Sequence, residues 1–451
     1  MISTPVCDFV RAYGDSAPVR LHMPGHKGRG PLGCEGLDIT EIRGADDLYH
    51  PESILAESEE NASRLFGCRT VYSAEGSSLA IRAMLYMAYT RAGCRGRCLA
   101  GRNAHKSFLH TAVLLDFPIS WLWAGDSYLS CPVTAEAVEA AILAEPEKPF
   151  AVYLTSPDYL GNLAPVEEIA KVCHRHGVPL LVDNAHGAYL KFLPRSLHPM
   201  DLGADLCCDS AHKTLPVLTG GAYLHMGSTW TAEDAKAAMA LFGSTSPSWL
   251  ILQSLDAANP AMERLPGDIA ALAPHIAALK GALLAHGFAL AGEELLKVTV
   301  HASQFGYSGE ELAEALEKQG IFCEFADRDF IVFMLTPQNT PEELERLREN
   351  LCALPRGSRP QEPPLPLAHP RAVCTPRRAA FAPRETIPVE ESLGRVLALA
   401  NVSCPPAVPI VMCGEEIDEA ALEALRHCGV EEVAVIKSFP GAVRCAANRK
   451  F

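Results

Sequence analysis

No contiguous apolar run comes near the ~20 residues that a bilayer-spanning helix needs, so none of the chain reads as a membrane segment. The opening stretch, MISTPVCDFVRAYGDSAPVR, holds no apolar core of the sort that directs secretion. Sixteen cysteines are present, yet none are spaced as C-x2-C, which argues against a zinc ribbon. Without an export signal they are expected to be reduced thiols in the cytoplasm. Basic residues are in deficit, 39 against 54 acidic, for a formal charge of −15. Such a surface does not suit nucleic acid and leans toward cationic ligands. No internal repeat is found.

What is present is a globular composition. Hydrophobic residues make up 48% of 451, enough for two or three domains with their own cores. Residues 1–60, rich in Gly, Pro and His, read as an irregular arm. From 61 to 260 short apolar runs alternate with helical patterns: TVYSA (70–74), CLAGR (98–102), ISWLW (119–123), FAVYLTS (150–156), VPLLVDNA (178–185) and ADLCCDS (204–210). That alternation predicts an α/β domain built on a mainly parallel, doubly wound sheet. Helices dominate 231–287, and 261–354 reads as a small α/β unit. The Pro-rich stretch 355–372 is expected to be a linker, and 373–451 a C-terminal domain.

Ligands of parallel sheets bind beyond the carboxyl ends of the strands, and several reactive side chains fall there. Asp183 ends VPLLVD, Lys213 follows ADLCCDSAH, Gly76-Ser77-Ser78 open a helix after TVYSAE, and His105 opens another after CLAGRNA. Each has an ordinary role when taken singly. A serine pair at a helix start caps it, an aspartate at a strand end accepts backbone N–H groups, a histidine sits on the surface, and a lysine is solvated. Together they suit pyridoxal phosphate (PLP). A lysine binds its aldehyde as a Schiff base, a buried carboxylate keeps its ring nitrogen protonated, and a helix N-terminus holds its phosphate. His105 stacks on one ring face in this reading, and the small Ala185 lets the other face approach.

The motifs LHMPGHKG (21–28), DITEIRGADDLYHP (38–51), EGSS (75–78), NAHKS (103–107), VDNAHGA (182–188), SAHKTLPVLTGGAYLH (210–225) and STSPSWLILQSLD (244–256) run in order along the chain. With ESLGRVLALANVSCPPAVPIVMCGEEI (391–417) they resemble the bacterial Orn/Lys/Arg decarboxylase family, PLP enzymes of fold type I. The resemblance implies that Lys213 is the Schiff-base lysine, Asp183 the partner of the ring nitrogen and His105 the stacking histidine, with His212 also in the catalytic set. It places Gly76, Ser77, Ser78, Ala185, His186, Ser210 and His212 around the cofactor. Thr245 and Ser246 would reach the phosphate of a neighbouring subunit, so a homodimer or larger homo-oligomer with shared sites is expected. The chain is similar to the short form, without the N-terminal wing domain. Three departures stand out. Asn184 replaces an acidic residue, Leu218-Thr219-Gly220 replaces Leu-Thr-Gln, and the C-terminal motif reads Cys404 to Pro409 and Cys413-Gly414-Glu415.

Asp46, Asp47 and Glu415 are candidates for the distal cation of a substrate, although each is equally an ordinary loop acid. His22 and His26 lack a third ligand nearby in sequence, so no metal is expected. The implied reaction is decarboxylation of a basic L-amino acid, lysine, arginine or ornithine, to an amine and CO2. Another PLP reaction on the same scaffold, transamination or elimination, is the first rival. An inactive, PLP-binding regulatory homologue is the second.

Overall fold

The computed structural model describes residues 2–125, 128, 130–360, 367–399 and 408–437. Two helices, α1 (Pro5–Asp15) and α2 (Ile54–Phe66), precede strand β1 (Arg69–Ser73). There follow α3 (Gly76–Arg91), β2 (Cys98–Gly101), α4 (Lys106–Leu115), β3 (Ile119–Leu122), α5 (Ala135–Ala144), β4 (Ala151–Thr155), α6 (Val166–Arg175) and β5 (Leu180–Asp183). The large unit continues with β6 (Leu206–Asp209), the one-turn α7 (Ala211–Thr214), β7 (Ala222–Met226), α8 (Ala232–Ala240) and α9 (Trp249–His286).

Among the described residues seven strands form the main sheet, in the order β1-β7-β6-β5-β4-β2-β3. The neighbours β6, β5, β4, β2 and β3 run parallel, and β7 is antiparallel to both β6 and β1. Side chains alternate strictly between two cores. Leu99, Val152, Leu154, Leu180, Val182 and Cys207 face one side, with residues of α5 and α6. Cys98, Ala100, Tyr153, Leu181, Leu206 and Cys208 face the other, with α3, α4 and α9. Burial on both faces explains why these strands read as unbroken apolar runs.

Strand β7 and helix α1 were not expected. AYLHM escaped because its histidine, His225, breaks the apolar run, although every residue in it is buried. The arm is not wholly irregular: Pro5 starts α1, whose Val6, Cys7 and Val10 are buried against α2 and α9. The Gly, Pro and His content that suggested an irregular arm is concentrated in the segment after it, and α2 already begins at Ile54.

Helix α9 spans 38 residues and contains Pro260, Pro266 and Pro274. Its mean hydropathy reaches 1.4 over one stretch, so by length and composition it is long and apolar enough to cross a membrane. This corrects the reading that no segment qualifies. Within the fold, its stripe of Leu252, Leu255, Met262, Leu265, Ile269, Leu272, Ile276, Leu279 and Leu283 is buried in the main core. The helix leads into the small unit: β8 (Ala289–Ala291), β9 (Lys297–His301), α10 (Ala302–Phe305), α11 (Gly309–Glu317), β10 (Phe325–Ala326), β11 (Phe330–Met334) and α12 (Pro341–Cys352). Its strands pair antiparallel in the order β10-β11-β9-β8.

The C-terminal unit contains α13 (Pro376–Ala380), β12 (Arg384–Pro388), α14 (Glu419–His427) and β13 (Glu432–Ile436), with β12 and β13 antiparallel. Arg102, just past β2, joins it to the large unit. Its two terminal nitrogens donate to the two Glu415 oxygens at 2.6 and 2.7 Å. Glu415 Oε2 also accepts from the Met412 N–H at 2.7 Å. The guanidinium lies over Trp121 and Trp123, 5.0 and 4.4 Å from their centroids. Both partners are buried, so neither charge has water to fall back on. Glu415→Ala is expected to lower stability by ~3–5 kcal/mol, by leaving a buried guanidinium unpaired. Arg102→Met combined with Glu415→Leu removes both charges and should recover most of that loss. Urea unfolding measures both, and a single variant as stable as wild type would rule the pin out.

Candidate active site

Strand parity sets the heart of the site. Asp183 lies on the same face of β5 as Leu181, with Thr155 of β4 and Cys208 of β6 beside it in register. It is 1% exposed. Its Oδ2 accepts from the Tyr153 hydroxyl at 3.1 Å, and its Oδ1 from the Ala185 N–H at 3.2 Å and the Cys208 thiol at 3.6 Å. A buried carboxylate needs such donors. Tyr153 and Cys208 were not foreseen, although counting by twos along β4 from the Asp183 face would have found Tyr153.

Lys213 projects from α7, the single turn after β6. Its Nζ lies 2.9 Å from His186 Nε2. Burial pushes its pKa down, and Asp183 and Glu324 pull it back up less strongly. His186 is buried, and burial, reinforced by Lys213, holds its pKa well below the ordinary value. Its Nδ1 has no hydrogen-bond partner among the described residues. A neutral His186 therefore faces an amine that is itself pushed toward neutrality.

His105 caps α4, its Nδ1 accepting from the Ser107 N–H at 3.3 Å. The residue is exposed, yet surrounding protein is close enough that desolvation lowers its pKa against the pull of Asp183. Ser107 Oγ lies 3.0 Å from His105 Nδ1 and 2.7 Å from Ser78 Oγ, tying the ring to the start of α3. At that start Ser210 Oγ donates to Ser77 Oγ at 2.8 Å, and the Gly76 N–H donates to the Gly220 carbonyl at 2.7 Å. His212 Nδ1 donates to the Gly221 carbonyl at 2.9 Å, and burial lowers its pKa. Ala185 is buried beside Asp183. The structure thus gathers Gly76, Ser77, Ser78, His105, Asp183, Ala185, His186, Ser210, His212 and Lys213 at the carboxyl ends of the strands.

Other candidates lie elsewhere. Thr245 and Ser246 are exposed, and the Ser246 N–H bonds to Ser244 Oγ at 3.1 Å. Asp46 accepts from the N–H groups of Asp47, Glu52, Ser53 and Leu55 at 2.8–3.1 Å, anchoring the start of α2. Asp47 accepts from the N–H groups of Tyr49 and His50 at 2.7 and 3.2 Å. Glu415 is engaged by Arg102. The Asp46 and Glu415 carboxylates are thus engaged within the protein, whereas Asp47 keeps a half-exposed carboxylate whose Oδ2 lies 3.5 Å from His50 Nδ1. The C-terminal motif residues Cys404 to Ala407 lie outside the described residues. His22 meets Tyr13, and His26 meets Asp38, so the two histidines serve different partners.

A second polar cluster lies behind Asp183. Asp209 Oδ2 accepts from His198 Nε2 and His225 Nε2 at 3.1 and 3.0 Å. Its Oδ1 accepts from Asn184 Nδ2 at 2.6 Å. Burial pushes the Asp209 carboxyl up, but the two histidines outweigh it and hold it well below the usual range. His198, Cys207 and Asp209 come close enough to ligate a metal, yet these hydrogen bonds already satisfy the carboxylate.

The description "Orn/Lys/Arg decarboxylase, major domain" matches residues 4–272. An arginine decarboxylase of Halalkalibacterium halodurans is 30% identical over 466 residues, covering 94% of this chain and 93% of that protein. One from Bacillus subtilis is 29% identical over 462 residues, covering 92% and 91%. The crystal structure of the Francisella novicida lysine decarboxylase LdcF superposes with a TM-score of 0.80 at 18% identity, covering 97% of this chain and 81% of that one. That likeness assigns the fold.

Because folding lowers the His186 pKa, its neutral form stabilises the native state fully above about pH 6.5 and that contribution falls as pH drops below it. In protein dialysed free of small ligands, thermal stability should decline between about pH 7 and 5.5, with at most ~1.4 kcal/mol per pH unit from this group. His186→Asn should flatten the decline. Identical slopes in the two proteins would contradict the assignment.

Proposed function

The chain belongs to the Orn/Lys/Arg decarboxylase family, and on that premise we propose that it removes the α-carboxylate of a basic L-amino acid as CO2, leaving an amine. Arginine leads the candidates, because three of the relatives at 29–30% identity that span nearly the whole chain are named arginine decarboxylases, a fourth, from Bacillus subtilis, being named only as an uncharacterized protein. One observation carries the reading: Lys213, its amine pushed toward neutrality, stands at the strand ends within the field of Asp183 and in contact with His186.

The residues fit PLP. A desolvated lysine amine is a nucleophile for its aldehyde. The Asp183 carboxylate, buried on three donors, is a fixed anion for a protonated ring nitrogen. The hydroxyls of Ser77, Ser78 and Ser210 surround the N-terminus of α3, whose first-turn N–H groups favour an anion. His105 is exposed, and the orphaned His186 Nδ1 awaits a partner. When bound, PLP supplies an electron sink for the pair left behind as CO2 departs.

Within this reading Lys213 would hold the cofactor through Nζ, Asp183 would keep its ring nitrogen protonated, and His105 and the small Ala185 would flank it. Lys213 or His212 would return a proton to the substrate Cα. Thr245 and Ser246 would act on the partner's phosphate site, a role open to two exposed side chains.

Incubation with single amino acids and PLP is expected to release CO2 from arginine, lysine or ornithine, with the matching amine identified by mass. Release of a keto acid in place of the amine would replace decarboxylation with transamination. Borohydride should fix the cofactor's mass on the Lys213 peptide, and a label on another lysine would overturn that role. Asp183→Asn should keep the label and lose about 10^2-fold in turnover, the equivalent of ~3 kcal/mol.

Shared sites predict complementation. Lys213→Ala and the Thr245→Ala/Ser246→Ala double variant are each expected to be inactive. After dissociation and re-association about half the dimers are mixed, each with one site carrying both defects and one carrying none. Roughly a quarter of wild-type activity should return. Mixed dimers, verified by mass, that stay at the parental level would exclude the arrangement.

A further inference from the structure

With Asp46 and Glu415 occupied elsewhere, the acid whose charge reaches Lys213 after that of Asp183 comes from another unit. Glu324 stands in the small unit just before β10, and its side chain is exposed. Its Oε1 accepts from the Tyr159 hydroxyl at 3.1 Å, and among the described residues no cation pairs with it. Tyr159 comes from the large unit, four residues past β4. Its ring lies edge-on to His186, with centroids 5.2 Å apart, and edge-on to Phe325, also at 5.2 Å. His186 Nε2 in turn lies 2.9 Å from Lys213 Nζ. Four side chains therefore run in unbroken contact from the reactive amine to one carboxylate. The carboxylate sits at the edge of an aromatic wall formed by Tyr159 and Phe325.

This arrangement suits an elongated cation. The α-amine end of such a molecule belongs at Lys213, its methylenes fit against the aromatic wall, and its charged tip meets an anion. An aromatic wall lowers the local dielectric, which strengthens that ion pair relative to one in open water. Tyr159 donates to one carboxylate oxygen and thereby orients the other. The charge of Glu324 is already felt at Lys213, which places the two in one electrostatic neighbourhood.

Resting on the decarboxylase reading above, we propose that Glu324 receives the distal ammonium or guanidinium of the substrate and that Tyr159 is the positioning residue that aims it. The small unit then supplies specificity, and the large unit supplies the chemistry.

The test uses the PLP-loaded enzyme and its Glu324→Gln, Glu324→Asp and Tyr159→Phe variants. Calorimetry measures binding of agmatine and cadaverine, which carry the distal cation, against n-pentylamine, which lacks it. In parallel, KM and kcat are measured for arginine, lysine and ornithine. Glu324→Gln is expected to weaken the cationic amines at least tenfold and leave n-pentylamine unchanged. It should raise KM for the basic amino acids more than it lowers kcat. Glu324→Asp should restore part of the loss, and Tyr159→Phe should show a smaller loss in the same direction. Unchanged binding of both cationic amines in Glu324→Gln overturns the proposal, and so does an equal loss for n-pentylamine. If wild type binds the cationic amines selectively through Glu324 yet releases no CO2, the decarboxylase reading fails and this site stands.

Discussion

Asp183 is a charge-bearing group placed where water does not reach, and the geometry around it follows from making that tolerable. A carboxylate at 1% exposure requires donors, and the sheet provides them by parity and register. Tyr153 and Cys208 share its face, and the chain turns at once so that the Ala185 N–H folds back on it. The same burial works in the opposite sense on the bases nearby. It drives Lys213, His186 and His105 toward their neutral forms, while the Asp183 charge resists at Lys213 and His105. A lysine amine that is desolvated yet within reach of an anion is a nucleophile that regains its proton readily. Neither effect alone would produce that condition.

The support around this centre is distributed over distant parts of the chain. Asp209 closes β6 one strand away, clamped by His198 and His225 and joined to Asn184. Because Asn184 follows Asp183 directly, the clamp steadies the turn that carries Asp183, Ala185 and His186. Gly187 ends that turn, and a Cβ there would fall 2.0 Å from Asn184 Oδ1. On the other flank, Arg102 ties the strand end leading to His105 to the C-terminal unit through Glu415. The segment leading to His105 is thus braced by the C-terminal unit.

Much of this was legible in the sequence, for identifiable reasons. The six strand-like runs match β1 to β6 within about two residues, because strands buried on both faces are written as continuous hydrophobic stretches. The reactive residues gather as expected because strand ends converge in a parallel sheet. Partners remote along the chain left no such trace. Glu415 read as a candidate for the substrate cation or as an ordinary loop acid, because its partner, Arg102, is 313 residues away. Asp46 read the same way, since four N–H groups that bend back onto one carboxylate have no signature in composition. Glu324 was passed over altogether, because it is the packing of the small unit against Tyr159 that brings it toward Lys213.

The departures from the family pattern become intelligible on the same physical grounds. An acid at position 184 would place a second carboxylate against Asp209, and one of the two would have to be protonated. Asn184 instead donates Nδ2 to Asp209, so a single anion with two histidines occupies this layer. Gly220, where the pattern has glutamine, adopts φ +101°, and a Cβ there would lie 2.9 Å from Ile251 Cδ1 and 3.3 Å from the Ala74 carbonyl. Its own carbonyl accepts the Gly76 N–H and so fixes the first turn of α3. A side chain at 220 would press on Ile251 and on the Ala74 carbonyl that precedes this turn. Both substitutions therefore alter how the cradle is braced, and both leave the lysine, the aspartate and the hydroxyls that face the cleft in place.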